Sequence, residues 1–249
     1  MNDYSIYEEY TLDRLQKLLA IDSPTGYTRE AVQWLQKEYE ALGYETQITQ
    51  KGGLLVDLGG RDQQNAVLVE THTDTLGGMV AEILENGRLR ITPLGGLNPN
   101  NTEAENCTVM TREKKRFEGC FQLKNASIHV NGAYGDTARS FDTMEVVLDY
   151  PVSSADDTRN LGIRTGDLVF FETRTRITES GYIKSRFLDD KLSVAILLGF
   201  AKYVKDCGIE LPRRVYQHIT VYEEVGHGGA ASVPEGVKDV LAVDMGCVG

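Results

Sequence analysis

The sequence has few of the features that mark secreted, membrane or thiol-dependent proteins. Its four cysteines, Cys107, Cys120, Cys207 and Cys247, include no C-x-x-C pair. That spacing fits neither a small disulfide framework nor a thiolate zinc site, so we expect reduced, structural thiols. No run reaches the ~18 apolar residues of a membrane helix, and residues 1–5 lack the basic and apolar regions of a signal peptide. These absences predict a cytoplasmic protein without a membrane partner.

The sequence also lacks an excess of positive charge. Lys and Arg number 26 against 37 Asp and Glu, which gives a formal net charge of −11. A protein that binds a phosphate backbone usually presents a basic patch. The densest basic run here, Lys114-Lys115-Arg116, has acidic neighbours and lies in a predicted hairpin turn, so we interpret it as solvated. No nucleic-acid partner is therefore predicted.

The order of helix and strand signals indicates one domain interrupted by another. Leucine spacing over 12–19 predicts a first helix, and a second runs from a cap at Thr28 to a stop at Gly43. Apolar runs at 54–58 and 66–69 predict buried strands. Turn clusters and short alternating segments fill the middle of the chain. We predict an α/β domain, residues 1–76 and 165–249, with a central, mostly parallel sheet flanked by helices, and an inserted β-rich domain at 77–164.

Four short clusters of acidic residues or histidine stand where predicted strands end. They are Thr71-His72-Thr73-Asp74, Leu188-Asp189-Asp190-Lys191, Tyr222-Glu223-Glu224-Val225-Gly226 and Val243-Asp244. In an open α/β sheet the carboxyl ends of the strands meet at one edge, where ligands bind. One imidazole with several carboxylates is a ligand set that suits divalent cations. The sequence therefore predicts a metal site at this edge.

Each cluster also has a structural interpretation. A single histidine at a strand end is more often structural than a ligand, although Asp74 lies two residues after His72 and is placed to orient its ring. An aspartate at a helix start is a common cap, and Asp190 is the simplest cap here. Two adjacent glutamates on a strand point to opposite faces, which suits one metal ligand and one general base.

The other histidines are predicted to have different roles. His129 and His218 lie inside alternating segments, which favours a structural role for both. His227 lies in a glycine-rich turn just after the glutamates and is a candidate substrate contact.

Taken in order, the four clusters resemble the TET-type glutamyl aminopeptidase family, cytosolic dinuclear metallo-aminopeptidases. The segments Pro93-Leu94-Gly95-Gly96 and Leu161-Gly162-Ile163-Arg164-Thr165-Gly166-Asp167 match as well, and the resemblance covers essentially the whole chain. Each motif is weak alone, whereas the ordered set is specific. The chain departs from the family at Thr75, where a glutamate is common, and at Lys191 and Ser193, where arginine and a nearby glycine are common.

The resemblance implies a role for each cluster. It implies two divalent metal ions per subunit, with Zn²⁺ or Co²⁺ as the expected metals. The implied metal ligands are His72 and Asp244 for one ion, Glu224 for the other, and Asp189 as a bridge. Glu223 would be the general base, and Asp74 would orient His72.

The resemblance also implies a fold, an assembly and a reaction. The insert would be a barrel-like dimerisation domain, and dimers would build a tetrahedral dodecamer. The expected activity is removal of N-terminal residues from short peptides by a water activated by two metals. Two alternatives remain open: a dinuclear amidohydrolase of N-acyl amino acids, and a truncated, non-catalytic assembly subunit.

The family's last metal ligand generates the first testable prediction. It is a histidine in a segment that follows the position of Gly249. Within this chain the second metal has only Asp189 and Glu224, where a catalytic zinc site usually has three protein ligands. The 249-residue chain alone should therefore bind that metal weakly and show little aminopeptidase activity. Aminopeptidase assays of this chain beside a version extended to the family's length test the prediction. Equal activity of the two would contradict it, and His227 would then be the first candidate for the missing ligand.

Overall fold

The computed structural model describes residues 4–246 and divides into two compact units. The first unit comprises Met1–Thr75 and Thr173–Gly249, and the second comprises Leu76–Glu172. The elements before the second unit are α1 (Ser5–Leu19), α2 (Arg29–Ala41), β1 (Glu45–Ile48), β2 (Leu54–Gly59) and β3 (Asp62–His72). The elements of the second unit are β4 (Gly77–Ile83), β5 (Leu89–Leu94), β6 (Glu105–Met110), β7 (Arg116–Leu123), β8 (Met144–Leu148), α3 (Ala155–Asn160) and β9 (Leu168–Phe171). Those after it are β10 (Arg176–Ile177), β11 (Ile183–Lys184), α4 (Leu188–Asp206), β12 (Arg213–Thr220) and β13 (Val237–Ala242).

The first unit is built on a five-stranded sheet in the order β1-β2-β12-β3-β13. β3 pairs in parallel with β12 and β13, whereas β2 pairs antiparallel with β1 and β12. The predicted α/β class, with a central sheet and helices, is confirmed. The sheet is mixed rather than mostly parallel, because β1 and β2 form a hairpin that joins β12 in the antiparallel sense.

The core of the first unit joins this sheet to its helices. Leu18, Leu35, Leu54, Leu198 and Ile219 belong to one buried apolar cluster. A polar bridge crosses the same layer. The Tyr39 hydroxyl donates to Gln217 Oε1 at 2.7 Å, and the Gln217 amide donates to the carbonyl of Leu197 at 2.9 Å. β12 is thereby held to both α2 and α4, which fixes the strand that leads to the adjacent glutamates.

The second unit is a closed barrel in the order β4-β5-β8-β7-β6-β9. Along β7 buried residues alternate with more exposed ones, as expected where one face of a strand lines a core. The predicted insert ended at residue 164, but β9 pairs with β4 and β6, so the compact unit runs to Glu172. The basic run 114–116 lies at the turn between β6 and β7, as predicted.

Several local predictions are wrong. His129 lies in an exposed turn rather than in a strand. The segment before Asp189 contributes only the two-residue β11, which pairs with β10 outside the central sheet. Thr28 occupies the cap position of α2, but its side chain makes no capping hydrogen bond. The adjacent glutamates lie in a 3₁₀ helix, Glu223–Val225, so the argument from opposite strand faces does not apply to them.

The described residues include three of the four cysteines and all of the helices given above. Cys107, Cys120 and Cys207 are free thiols, and Cys247 lies outside the described residues. Within residues 4–246 every helix is too short or too polar to cross a bilayer.

Candidate metal centre

Carboxylates converge on the imidazole of His72, the last residue of β3. Nδ1 lies 2.9 Å from the carbonyl oxygen of Asp74, which can only accept, so Nδ1 carries a hydrogen and, in the neutral ring, Nε2 is the nitrogen with the lone pair. Nε2 lies 3.1 Å from Asp189 Oδ1, 3.6 Å from Glu223 Oε2 and 4.0 Å from Asp244 Oδ1. The structure thus brings together His72 and three of the predicted carboxylates around the nitrogen that a metal would bind.

Asp74 is the buried centre of this arrangement. Its carboxylate accepts hydrogen bonds from Thr25 Oγ1 at 2.7 Å, from the Glu223 amide at 3.1 Å and from the Glu224 amide at 3.4 Å. Burial alone would raise the pKa of Asp74, but the hydrogen bonds from His72, Thr25 and Glu223 lower it. Asp74 therefore stays ionised and holds His72 and both glutamates in place.

The turn between α1 and α2 supports Asp74 from behind, which the sequence did not indicate. Ser23 Oγ donates to the carbonyl of Thr73 at 2.7 Å. The Thr75 amide donates to the carbonyl of Ser23 at 2.9 Å, and the Thr25 amide donates to that of Thr75 at 3.0 Å. In the sequence, Ser-Pro-Thr-Gly indicated only a turn. Its role depends on pairing with a segment far along the chain, for which the sequence carries no local signal.

The two adjacent aspartates have different environments. Asp189 is 57% exposed at its side chain and faces His72. Asp190 is buried, and its Oδ2 accepts from Thr71 Oγ1 and from the His72 amide. Its Oδ1 is buried and, within the described part of the chain, has no hydrogen-bond partner. Regular helical geometry begins only after both residues, so Asp190 stands at the start of the helix, but the predicted cap is wrong: among the described residues no first-turn amide donates to its side chain.

Asp190 also competes with Asp189 as a ligand. His72, Asp190 and Asp244 offer ligand atoms that all lie within 4.8 Å of one another. However, Asp190 already binds the Thr71 hydroxyl and a main-chain amide, whereas Asp189 makes the shortest approach to Nε2. This difference favours Asp189 as the ligand and Asp190 as the residue that ties β3 to α4.

The glutamates are placed by a sharp change of chain direction. Tyr222 adopts left-handed geometry (φ 69°, ψ 20°) and begins the 3₁₀ helix that carries them. Gly228 lies against Glu223, where a Cβ would stand 3.1 Å from that of Glu223. Burial raises the pKa of Glu224 to about 7; the charges of Asp189, Asp74 and Glu223 add to this rise and that of His72 opposes it.

The charges of the cluster fit a cation. Burial works to lower the pKa of His72, yet the carboxylates of Asp74, Asp190 and Glu223 raise it to about 10. Glu224 likewise holds a proton at higher pH than an ordinary glutamate. Without a metal, protons therefore supply the positive charge that this cluster requires. Divalent cations of the zinc type bind such imidazole and carboxylate sets and displace these protons on binding.

A cavity of about 330 Å³ opens beside the cluster. Its lining includes His72, Glu223 and Asp244 together with the glycine-rich loop 226–229. The exposed His227 is part of that loop. Lys51 Nζ donates to the carbonyls of His227 and Gly228 and so holds the loop in place.

A comparison with known protein families identifies the family to which this chain belongs. The model of the M42 glutamyl aminopeptidase family matches residues 52–249, well over half of the chain. The chain belongs to this family.

Curated relatives agree with the M42 assignment. The chain is 41% identical over 239 residues, 96% of its length, to the Bacillus subtilis (strain 168) protein named "Putative aminopeptidase YhfE". It is 27% identical over 220 residues, 88% of its length, to the glutamyl aminopeptidase of Lactococcus lactis subsp. cremoris (strain MG1363). The matches span 69% and 61% of these relatives, so the chain is about two thirds as long as they are.

Solved structures share the fold of this M42 chain. The TET aminopeptidase of Thaumarchaeota archaeon SCGC AB-539-E09 superposes with a TM-score of 0.85 at 22% identity, over 97% of this chain and 67% of that one. The TET1 peptidase of Pyrococcus horikoshii gives 0.77 at 23% identity, over 94% of this chain and 68% of that one. At these identities the comparison shows the fold alone.

The departures from the M42 pattern have structural roles. Lys191 is fully buried, and its ammonium donates to the carbonyls of Leu18 at 3.1 Å and Ile21 at 2.6 Å. It therefore caps the end of α1 from inside, and burial lowers its pKa to about 7. Ser193 hydrogen-bonds Asp190. These residues support the centre from behind rather than face the cavity.

The hydrogen bonds of Asp74 generate a prediction for metal binding. Asp74→Asn replaces an acceptor of three hydrogen bonds by an amide that can accept at only one atom, and it removes the charge that favours the Nδ1–H form of His72. Changes to such supporting residues typically cost about 10–100-fold in metal affinity. Competition against a chelator should show a loss of that size. Asp142→Asn, whose side chain is 90% exposed, is the control and should leave the affinity unchanged; an equal affinity for Asp74→Asn would contradict the role of Asp74.

Proposed function

We propose that this M42 protein is a metal-dependent aminopeptidase that removes N-terminal residues from short peptides with a water activated by two metals. One observation carries the proposal: carboxylates of Asp189, Glu223 and Asp244 approach Nε2 of His72 to within 4.0 Å beside an open cavity. Membership of the M42 family supports the same reaction class.

The proposed metal ligands are those that the family resemblance implies. His72 and Asp244 would hold one ion, Glu224 the other, and Asp189 would bridge them, with Zn²⁺ or Co²⁺ as the expected metals. When bound, the cations would supply a water of lowered pKa and polarise the scissile carbonyl. Support comes from the orientation of the imidazole and from the carboxylate of Asp189, which is 57% exposed and lies 3.1 Å from Nε2.

Glu223 is the proposed general base. Its main-chain amide is fixed by Asp74, and its carboxylate is 44% exposed, so it is both positioned and accessible to water. It would take the proton of the attacking water and pass it to the leaving amine. Asp74, through its contacts with His72 and Glu223, would hold the base and the metal ligand in fixed positions relative to each other.

The same proposal includes self-association in the cytoplasm. The barrel would be the dimerisation domain, and dimers would build a tetrahedral dodecamer. Support comes from the Pyrococcus horikoshii TET1 peptidase, described as assembling into a tetrahedron or a large octahedral shell.

The reaction class can be tested on substrates with and without a free amine. Metal-loaded protein extended to the family's length should hydrolyse leucine anilide, leave N-acetyl-leucine anilide intact, and lose activity with chelator. Elemental analysis should give two divalent cations per chain. Hydrolysis of the acetylated compound would favour the amidohydrolase alternative. Absence of both turnover and metal would favour the non-catalytic subunit.

The adjacent glutamates give a paired prediction. Glu223→Gln should lower kcat by about 10²–10⁴-fold, because the general base is lost, while both metals stay bound. Glu224→Gln should instead weaken binding of the second metal. Turnover and metal content measured on the same samples separate the two effects. If Glu223→Gln strips metal and Glu224→Gln does not, the two roles are reversed.

A further inference from the structure

A hydrogen-bonded pair of titratable side chains, Glu70 and His218, lies next to the proposed metal ligand His72 on the same sheet. In the parallel pairing of β3 with β12, Thr220 stands beside His72 and His218 stands beside Glu70. Glu70 and His72 are two residues apart on one strand, so their side chains share a face about 7 Å apart along it. The structural role predicted for His218 is therefore incomplete, because its partner Glu70 lies on the face of the sheet that carries His72.

One oxygen of Glu70 is held and the other is available. His218 Nδ1 donates to Oε1 at 2.8 Å, because a carboxylate can only accept. Within residues 4–246 the structure gives Oε2 no hydrogen-bond donor. The side chain is 14% exposed and lines the cavity beside the cluster. Oε2 lies against Gly229, where a Cβ would come within 2.3 Å of it.

Near Glu70 the cavity has unfilled space and carries a negative charge. Ala242 stands beside Glu70 in the pairing with β13, and its small side chain leaves space there. Among the residues that the structure describes, neither lysine nor arginine lines the cavity. Lys51 is close by, but its ammonium binds main-chain carbonyls of the loop. Once His72, Glu223 and Asp244 serve the reaction, the charge of Glu70 is the one left for the substrate.

We propose that Glu70, held by His218, is a specificity-determining residue that binds the ammonium or guanidinium group of a basic N-terminal side chain. The proposal rests on the aminopeptidase function proposed above. A lysine side chain carries its positive charge on a flexible four-carbon stem. It can therefore reach the carboxylate of Glu70, which lies two residues along β3 from His72, while the scissile bond lies beside His72. An acidic N-terminal side chain would meet like charge at the same point. This protein is therefore expected to prefer lysine or arginine, unlike the preference that the name of its Lactococcus lactis relative states.

The test compares lysine, leucine and glutamate anilides on the metal-loaded protein extended to the family's length. The wild type should show kcat/KM in the order lysine, leucine, glutamate. Glu70→Gln should lower the ratio of lysine to leucine by about tenfold or more, because a hydrogen bond to a charged group is lost. Glu85→Gln, an exposed glutamate of the other unit, should leave the ratio unchanged. An unchanged ratio in Glu70→Gln, even with all three rates lowered, would assign Glu70 to the α-amine or to structure and overturn the proposal.

A second variant moves the carboxylate without removing its charge. In Gly229→Ala the new Cβ would displace Oε2 of Glu70, so the lysine preference should again fall. Gly132→Ala has open space around it and is the matched control. An unaltered preference in Gly229→Ala would contradict the proposed geometry.

A binding measurement separates this proposal from the reaction itself. Calorimetry with free L-lysine and L-leucine, which have no bond to cleave, should show lysine bound more tightly by the wild type and about tenfold more weakly by Glu70→Gln. If no anilide is cleaved but this difference remains, the aminopeptidase proposal fails and the subsite stands. If anilides are cleaved and the difference is absent, the subsite fails alone.

Discussion

The buried carboxylate of Asp74 is the constraint on which the rest of the centre depends. An ionised carboxylate out of water is costly unless hydrogen bonds replace its hydration. Here the donors come from the turn after α1, through Thr25, and from the 3₁₀ helix after β12, through the amides of Glu223 and Glu224. Two distant segments must therefore meet at the end of β3 for the charge to be tolerated. The same meeting places His72 among the acidic ligands.

This arrangement has a second requirement, because the carboxylates that meet beside His72 repel one another. Burial raises the pKa of Glu224 to about 7, and the neighbouring carboxylates add to this rise; burial acts to lower the pKa of His72, but the carboxylates around it raise it to about 10. A divalent cation would relieve the repulsion between the carboxylates better than two protons do, because the cation attracts all of the carboxylates at once. Stability and metal binding are in this way two consequences of one arrangement.

The sequence predicted the elements that carry local signals. Apolar runs identified β2 and β3, leucine spacing identified α1, and the acidic clusters identified His72, Asp189, Glu223 and Asp244, which the structure brings together. It did not predict what depends on pairing between distant segments. The role of Thr25 needs the contact with Asp74, and the end of the barrel needs β9 to pair with β4 and β6. The 3₁₀ helix was missed because left-handed geometry at a tyrosine has no signature in the sequence.

The two residues proposed to hold the first ion lie at the ends of neighbouring strands, which would link metal binding to the sheet. In the described residues His72 follows a strand paired on both sides, by β12 and β13, whereas Asp244 follows β13, which pairs with β3 alone. Among the described residues, Val240 and Leu241 of β13 are 53% and 57% exposed. A cation shared by His72 and Asp244 would add a contact between the two strand ends. Any ligand that binds the folded state preferentially stabilises it, so the metal should secure β13 as much as β13 positions the metal.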